Sequence, residues 1–295
     1  KVHPSCGIRQ DFFLFTGWIV KGLAKVATHG LVMLFLVFML LPIYQMVITA
    51  LKPEAEAWLV PPSLVPRRPT LENFAEMFEI VPRLPRFLGN SFIYGLGVSL
   101  VSLGVAVPAA YGLSRHPIPG RRGILFLLVY ANMFAPIMLL VPLYDIIRVL
   151  GLLNTRPAMI LAGSVFTLPL SVLLLASYFE AVPRSLEEAA WVDGCSRLRA
   201  LGQVVLPLVL PAMVAVAIYA FITGWSQQFV LALVLIQSPD LMPITQGLYQ
   251  FFSRSSVRWP ELMAASLVAA SVPMLLFMLV QRYIVQGLTA GAVKM

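Results

Sequence analysis

The sequence predicts an all-α integral membrane protein with six transmembrane helices. Of its 295 residues, 59% are hydrophobic and 12% are charged, and the mean hydropathy is +0.87. An ordinary soluble domain is excluded, because about a quarter of its residues would be charged. Charge-free windows locate the spans, since crossing the hydrocarbon layer takes about 20 apolar residues. The windows are 26–51, 87–114, 123–144, 157–179, 200–239 and 262–281.

The fifth window, 200–239, is long enough for two short spans, but its composition favours one. Pro207, Pro211 and a polar run at 223–228 leave a single good helix at about 208–236. Every span also contains an interior proline, which removes a helix hydrogen bond and bends the helix. These prolines are Pro42, Pro108, Pro136, Pro169, Pro211 and Pro273.

Six spans place both termini on one side of the membrane, and the charges indicate which side. The side with the termini and residues 115–122 and 180–199 carries 12 Lys/Arg and 5 Asp/Glu; the other carries 9 and 8. Lysine and arginine accumulate on cytoplasmic loops, so both termini are predicted to be cytoplasmic. The isoelectric point near 9.8 then reflects topology rather than a surface for nucleic acid.

The chain divides into an N-terminal segment at 1–29, a six-helix transmembrane domain at 30–286 and a cytoplasmic tail at 287–295. Two interpretations of 1–29 remain open: an amphipathic helix on the inner leaflet, with Phe12 and Phe15 on its apolar face, or an extension of the first span. Residues 52–86 are predicted to be external, with a short helix at about 72–78.

Small residues recur at four-residue spacing along the second span. They are Ser91, Gly95 and Ser99, followed by Ala106, Ala110 and Ser114. Small side chains let membrane helices approach closely, so this face is predicted to be a packing seam; the alternative is the ordinary abundance of small residues in spans.

The spans hold no charged side chain, which argues against a proton-driven carrier. No G-x-x-x-x-G-K-[ST] phosphate loop occurs, so no ATP site of that kind is predicted. His3, His29 and His116 lack metal-ligand spacing, and no constellation of catalytic residues is present. Cys6 and Cys195 fall on the reducing side, so we expect no disulfide.

The loop between the fourth and fifth spans has the pattern of a capped helical hairpin. Ser185 and Glu188 fit the S-x-x-E capping box, which predicts a helix starting at Ser185. Gly194 can adopt positive φ and end that helix. A second helical piece is expected to follow from Ser196.

This loop also contains a spaced motif. Three residues separate the triplet Glu188-Ala189-Ala190 from Gly194, and nine residues separate Gly194 from the ending Val204-x-Leu206-Pro207. The motif resembles the EAA loop, here 183–207, of permease subunits of binding-protein-dependent ABC importers. The stretches 69–74, 151–155 and 281–294 resemble the carbohydrate subgroup, in particular the smaller maltose-type permease subunit.

The resemblance implies the type I ABC importer fold, with the loop forming a cytoplasmic coupling helix. It implies a homologous second permease, two ATPase subunits that hold ATP and Mg, and an external solute-binding protein. It also implies the cytoplasmic (inner) membrane of a bacterium or archaeon, and an ion pair between Glu188 and an ATPase arginine. The coupling candidates are Glu188, Ala189, Ala190, Asp193, Gly194, Leu206 and Pro207.

The interior polar groups are neutral, which suits a polyhydroxylated solute such as an oligosaccharide. The candidates for the substrate path are Tyr94, Asn132, Trp225, Gln227 and Gln228. The alternative is that they only bond neighbouring helices, which we favour for Asn132 and for Thr167. Arginines near the predicted outer face would suit an acidic oligosaccharide such as a uronate, so a substrate of that kind remains an alternative. The rival function is a self-contained channel or secondary carrier, which should have charged side chains along its pore.

Overall fold

The computed structural model describes residues 8–61, 63–134, 136–252 and 257–292. All regular secondary structure in these ranges is helical, which confirms the all-α prediction. Short 3₁₀ segments lie at Pro136–Leu139, Pro239–Leu241 and Gln250–Phe252, and a π-helical turn at Leu201–Val205. The α-helices are α1 (Ile8–Ala50), α2 (Glu54–Ala57), α3 (Glu72–Ile80), α4 (Leu84–Arg115), α5 (Arg121–Ala131), α6 (Leu140–Val149), α7 (Arg156–Ala181), α8 (Arg184–Val192), α9 (Arg197–Ala200), α10 (Leu206–Ser226), α11 (Phe229–Leu235), α12 (Ile244–Tyr249) and α13 (Trp259–Ala292).

Five of the described helices are long and apolar enough to cross a membrane, and the pair α5 and Pro136–Val149 makes a sixth if it counts as one span. That pair bends by 104°, so the single helix predicted over 123–144 is wrong. Pro136 cannot donate a helix hydrogen bond. Asn132 adds to the break, because its Nδ2 donates to the backbone oxygen of Leu128 at 2.9 Å.

The predicted helix over 208–236 is also interrupted. The structure ends α10 at Ser226 and begins α11 at Phe229. Hydroxyl groups of the polar run compete for backbone acceptors: Thr223 Oγ1 donates to Tyr219 O at 2.9 Å, and Ser226 Oγ donates to Ile222 O at 2.7 Å. Such back-bonding weakens and bends a helix.

The chain forms two compact units. The first comprises the residues up to 73 with 259–264. The backbone of α1 is helical from Ile8, but the side chains of the apolar face expected around Phe12 lie outside the described residues. The side chains of the tail at 287–295 also lie outside them. From Ala27 to Ala50 the side chains of α1 are largely exposed, as lipid contact requires.

The carboxylate of Glu56 stabilises the loop that follows α1. Glu56 accepts hydrogen bonds from Ser63 Oγ at 2.7 Å and from Arg67 N at 3.0 Å. These donors stabilise the charged form, so the backbone N–H of Arg67, followed by the Ser63 hydroxyl, lowers the pKa of Glu56 below its ordinary 4.5. Asn73 Nδ2 donates to Ala50 O and to Lys52 O, each at 2.8 Å, which satisfies the last turn of α1.

The second unit is built on α4, α7 and α10, which pack against one another. The small-residue seam predicted on the second span is confirmed: Ser91, Ala106 and Ala110 are fully buried, and Gly95 lies beside Phe221. A Cβ on Gly224 would lie 3.0 Å from the Cα of Gly95. Glycine is therefore required where α4 and α10 meet.

Two other local predictions also hold. The short helix expected at 72–78 is α3, Glu72–Ile80. The reversal expected at 115–122 joins the end of α4 at Arg115 to the start of α5 at Arg121 through Gly120, whose φ is +78°.

Candidate functional site

The hairpin of α8 and α9 turns at Gly194. The φ of Gly194 is +85°, as predicted. Its N–H donates to Trp191 O at 3.0 Å, and the N–H of Cys195 donates to Ala190 O at 2.9 Å. This pair of bonds is a Schellman motif, which satisfies the last carbonyls of α8. The predicted start of the second piece also holds, because Ser196 Oγ accepts from Arg199 N at 3.4 Å.

The start of the hairpin differs from the prediction. Helix α8 begins at Arg184 with Pro183 as its N-cap and no side-chain cap, so the capping box of Ser185 and Glu188 is wrong. Pro183 has extended backbone, at φ −59° and ψ 131°, and the helix begins directly after it. Ser185 therefore lies inside the first turn rather than before it, where a cap must stand.

Contacts with α4 fix this start. Glu187 is 2% exposed. Its Oε1 lies 2.5 Å from Arg115 Nε, and its Oε2 accepts from Tyr111 Oη at 3.0 Å. Arg115 also donates from Nη2 to Val182 O at 2.9 Å. The hairpin is thus joined to the C-terminal end of α4, and Glu187 is a site residue that the sequence did not reveal.

Most other side chains of the hairpin are exposed, and Glu188 borders a groove beside Arg115 and Arg184. Glu188, Ala189 and Asp193 are exposed, whereas Ala190 is buried at 8%. Apolar side chains accompany them: Val192 is 88% exposed and Leu198 82%. An exposed acidic group among small and apolar side chains is suited to docking against another protein.

The remaining coupling candidates mark the entry into α10. Leu206 is half-buried and Pro207 exposed in its first turn. The N–H of Leu206 donates to Leu201 O, five residues earlier, which makes the preceding turn π-helical. Pro207 lies within the continuous helix Arg197–Ser226, where a proline cannot donate a helix hydrogen bond, and the irregular π-helical turn directly precedes it.

A pocket of about 190 Å³ lies among the spans, next to the break between α10 and α11. Its lining includes Thr223, Gln227 and Gln228 beside Gly163 and Phe166. The structure thus brings two of the five substrate-path candidates to a cavity.

The other three candidates have different surroundings. Tyr94 is fully buried, and its Oη donates to Leu241 O at 2.6 Å. Trp225 is 4% exposed and stacks on Phe221, with ring centroids 6.0 Å apart. Asn132 bonds its own helix and is exposed. Thr167 lies 2.6 Å, Oγ1 to Oγ, from Ser102 and bonds a neighbouring helix, as favoured.

Residues 87–290 match the model of the family described as binding-protein-dependent transport system inner membrane component. The chain belongs to this family. It is an ABC importer permease, and the resemblance found in the EAA loop is confirmed. The matched range includes the hairpin and the pocket.

Curated permease relatives match most of the chain. The sulfoquinovosyl glycerol transport system permease protein of Agrobacterium fabrum is 39% identical over 255 residues, 86% of this chain and 89% of that protein. The trehalose/maltose transport system permease protein of Thermococcus litoralis is 35% identical over 233 residues, 78% and 84% of the two chains. The diacetylchitobiose uptake system permease protein of Streptomyces coelicolor is 33% identical over 253 residues, covering 86% and 91%.

Solved importers share the permease fold. A bacterial ABC transporter involved in the import of the acidic polysaccharide alginate has a TM-score of 0.70 at 21% identity, over 95% of this chain and 99% of that one. The MetNI methionine ABC transporter has a TM-score of 0.55 at 19% identity, over 71% and 96%. The type I importer fold expected from the motif is thereby confirmed.

Proposed function

We propose that this permease moves a carbohydrate, an oligosaccharide in particular, that an external binding protein delivers. The hairpin, with Glu187 joined to α4 and Glu188 exposed, supports the importer function, because it offers a surface on which an ATPase subunit can dock. The names of the relatives, which include trehalose, maltose and diacetylchitobiose systems, support a carbohydrate as the solute.

The partners would be a homologous second permease and two ATPase subunits that hold ATP and Mg. Glu188 would pair with an arginine of one ATPase. The buried Glu187–Arg115 pair, with side chains 3% and 7% exposed, would carry the motion of the hairpin into α4. Removing one member of such a pair leaves a buried charge uncompensated, so the two groups are expected to move together.

The hairpin is proposed to lie in the cytoplasm, as do both termini. The excess of Lys/Arg on that side supports the orientation. The ion pair of Arg115 with Glu187 is consistent with it, because it joins two loops assigned to the same side.

The test is uptake into proteoliposomes by the purified complex, with trehalose, maltose, diacetylchitobiose and sulfoquinovosyl glycerol as probes. We expect uptake of at least one sugar, and we expect this uptake to require ATP, the ATPase subunits and the binding protein. Uptake by this chain alone, without ATP, would instead establish the rival channel or carrier. ATP-dependent transport of amino acids but of no sugar would refute the carbohydrate assignment.

A further inference from the structure

The amide of Asn90, near the start of α4, holds the segment that joins α11 to α12. This segment, residues 236–243, forms one short 3₁₀ turn and no longer helix. Asn90 Nδ2 donates to Asp240 O at 2.8 Å and to Met242 O at 3.0 Å. Its Oδ1 accepts from Arg156 Nη2 at 3.2 Å. Both hydrogens of the amide and its oxygen are therefore used.

Two more side chains of α4 bond the segment and the residue that follows it. Tyr94 Oη donates to Leu241 O at 2.6 Å, and Ser91 Oγ accepts from Ile244 N at 2.8 Å. Asn90 is 1% exposed, and Ser91 and Tyr94 are fully buried. Because a buried polar group that loses its partner is costly, these bonds fix the segment to the start of α4.

The residues before α7 fix the other end of the segment. Asn154 Oδ1 accepts from Gln237 N at 3.0 Å and from Ser238 N at 2.8 Å. The φ of Asn154 is +58°, in the left-handed region that asparagine tolerates. Side chains from two other elements thus determine the position of the segment.

Helix α4 makes connections near both of its ends. Asn90 and Tyr94 lie in its first three turns, whereas Arg115, which pairs with Glu187 of the hairpin, is its last residue. The helix between them is continuous. A movement of the hairpin therefore has a connected route through α4 to the 236–243 segment.

We propose that Asn90 is a positioning residue, which makes the 236–243 segment move with α4 when the ATPase subunits move the hairpin. The side of the permease opposite the hairpin would in this way respond to ATP, and the response to the external binding protein would depend on Asn90. The inference rests on the importer function proposed above. An amide is needed at this position, because aspartate lacks the two donors and leucine lacks both donors and acceptor.

Asn90→Leu tests the role, with Asn73→Leu as the matched control. Asn73 is also a buried asparagine whose Nδ2 donates to two carbonyls, but those carbonyls, of Ala50 and Lys52, lie at the end of α1. A merely structural loss should therefore be similar in the two variants.

The readout is ATP hydrolysis by the assembled complex, with and without the binding protein loaded with the sugar of the panel above that wild type takes up fastest. Loss of one neutral hydrogen bond shifts an equilibrium by about 3- to 10-fold. Stimulation by the binding protein should therefore be about 3- to 10-fold smaller for Asn90→Leu, and unchanged for Asn73→Leu.

The outcomes separate the two proposals. If ATP hydrolysis by wild type does not respond to the binding protein, the importer function fails and the role of Asn90 fails with it. If wild type responds and Asn90→Leu responds equally, or if both variants lose the response alike, only the role of Asn90 is overturned.

A second pair of variants makes changes too small to prevent folding. Ser91→Ala removes the acceptor of the Ile244 N–H. Ser99→Ala is the control on the same helix, because Ser99 Oγ donates to Ala217 O at 2.9 Å and so bonds α10 instead of the segment.

Nitroxide labels report whether the segment follows α4 in these variants. They are attached in a cysteine-free background to Gln237→Cys in the segment and Val105→Cys on α4, both at exposed positions. Electron–electron resonance should give the same distance with and without ATP in the parent and in Ser99→Ala, but a broader or shifted distance in Ser91→Ala. A parent-like distance in Ser91→Ala in both states would overturn the proposal.

Discussion

Glu187 and Arg115 lie 72 positions apart in the sequence, yet their side chains form an ion pair of 2.5 Å between Oε1 and Nε. Both side chains are more than nine-tenths buried. The pair connects the hairpin of α8 and α9 to α4. Its integrity is therefore expected to decide whether the hairpin can transmit force.

Glu187→Ala should destabilise the protein by about 3–5 kcal/mol, because it leaves the Arg115 charge buried and unpaired. The double variant Glu187→Leu/Arg115→Met should recover most of that loss. Thermal unfolding of the detergent-solubilised complex measures both. The exposed pair of Glu180 with Arg121 provides the control, since Glu180→Ala should cost about 1 kcal/mol or less. Equal losses for Glu187→Ala and Glu180→Ala would contradict the structural role of Glu187.

Glu188→Ala should leave thermal stability within about 0.5 kcal/mol of wild type, because the exposed carboxylate caps no helix. Loss of an interfacial ion pair should weaken ATPase association by about 2–5 kcal/mol. Co-purification and a binding titration with the ATPase subunits measure the change. An unaltered affinity would remove Glu188 from the docking surface.

Gly194→Val should cost about 1–3 kcal/mol, since a β-branched side chain resists the φ of +85°. Gly194→Asn should cost less, because asparagine tolerates the left-handed region. Hydrogen exchange of the α8 amides, together with ATPase association, distinguishes the two. If valine and asparagine have the same effect, backbone strain is not the reason for glycine here.

The membrane orientation is testable with exposed positions that make no structural hydrogen bond through their side chains. Leu64 is 71% exposed in the loop after α1, and Leu198 is 82% exposed in the hairpin. Each substitution is made alone in a cysteine-free variant. An impermeant maleimide should label Leu64→Cys in intact cells, but Leu198→Cys only after permeabilisation. The reverse result would invert the topology.

The loop after α1 should loosen in acid. Folding lowers the pKa of Glu56 below its ordinary 4.5. The stability that the charged carboxylate contributes is therefore complete above pH 4.5 and is lost as the pH falls through the lower pKa of the folded state. Limited proteolysis of 52–73 should accelerate below pH 4.5. Glu56→Gln should be cleaved faster at pH 7 with a flatter pH profile, whereas Glu72→Gln, at an exposed position of the same segment, should behave like wild type.

The sequence predicts local backbone conformation where a single residue type determines it. Gly194 is an example, because positive φ favours glycine whatever surrounds it. The capping box failed for the opposite reason. Its four residues fit the pattern, but the extended Pro183 and the distant Arg115 place the helix start one residue earlier.

The site residues divide in the same way. Composition identified the polar run around Gln227 and Gln228, but it did not reveal that Gln227 is exposed and Gln228 buried, at a break of the helix between 226 and 229. That break results from hydroxyl groups bonding back along their own helix, which periodicity does not reveal. Tyr94 was predicted to line the path because it is polar, and only the fold shows its hydroxyl bonded to Leu241 O.

The close glycine contacts between α4 and α10 have a mechanical consequence. Helices packed this closely resist sliding past one another, so a tilt of α4 is expected to carry α10 with it. Its 32 residues span about 48 Å at 1.5 Å per residue. A tilt of about 5° at the Arg115 end would swing the opposite end by about 4 Å over that length. A small tilt at the Arg115 end would in this way become a displacement of several ångströms at the Leu84 end.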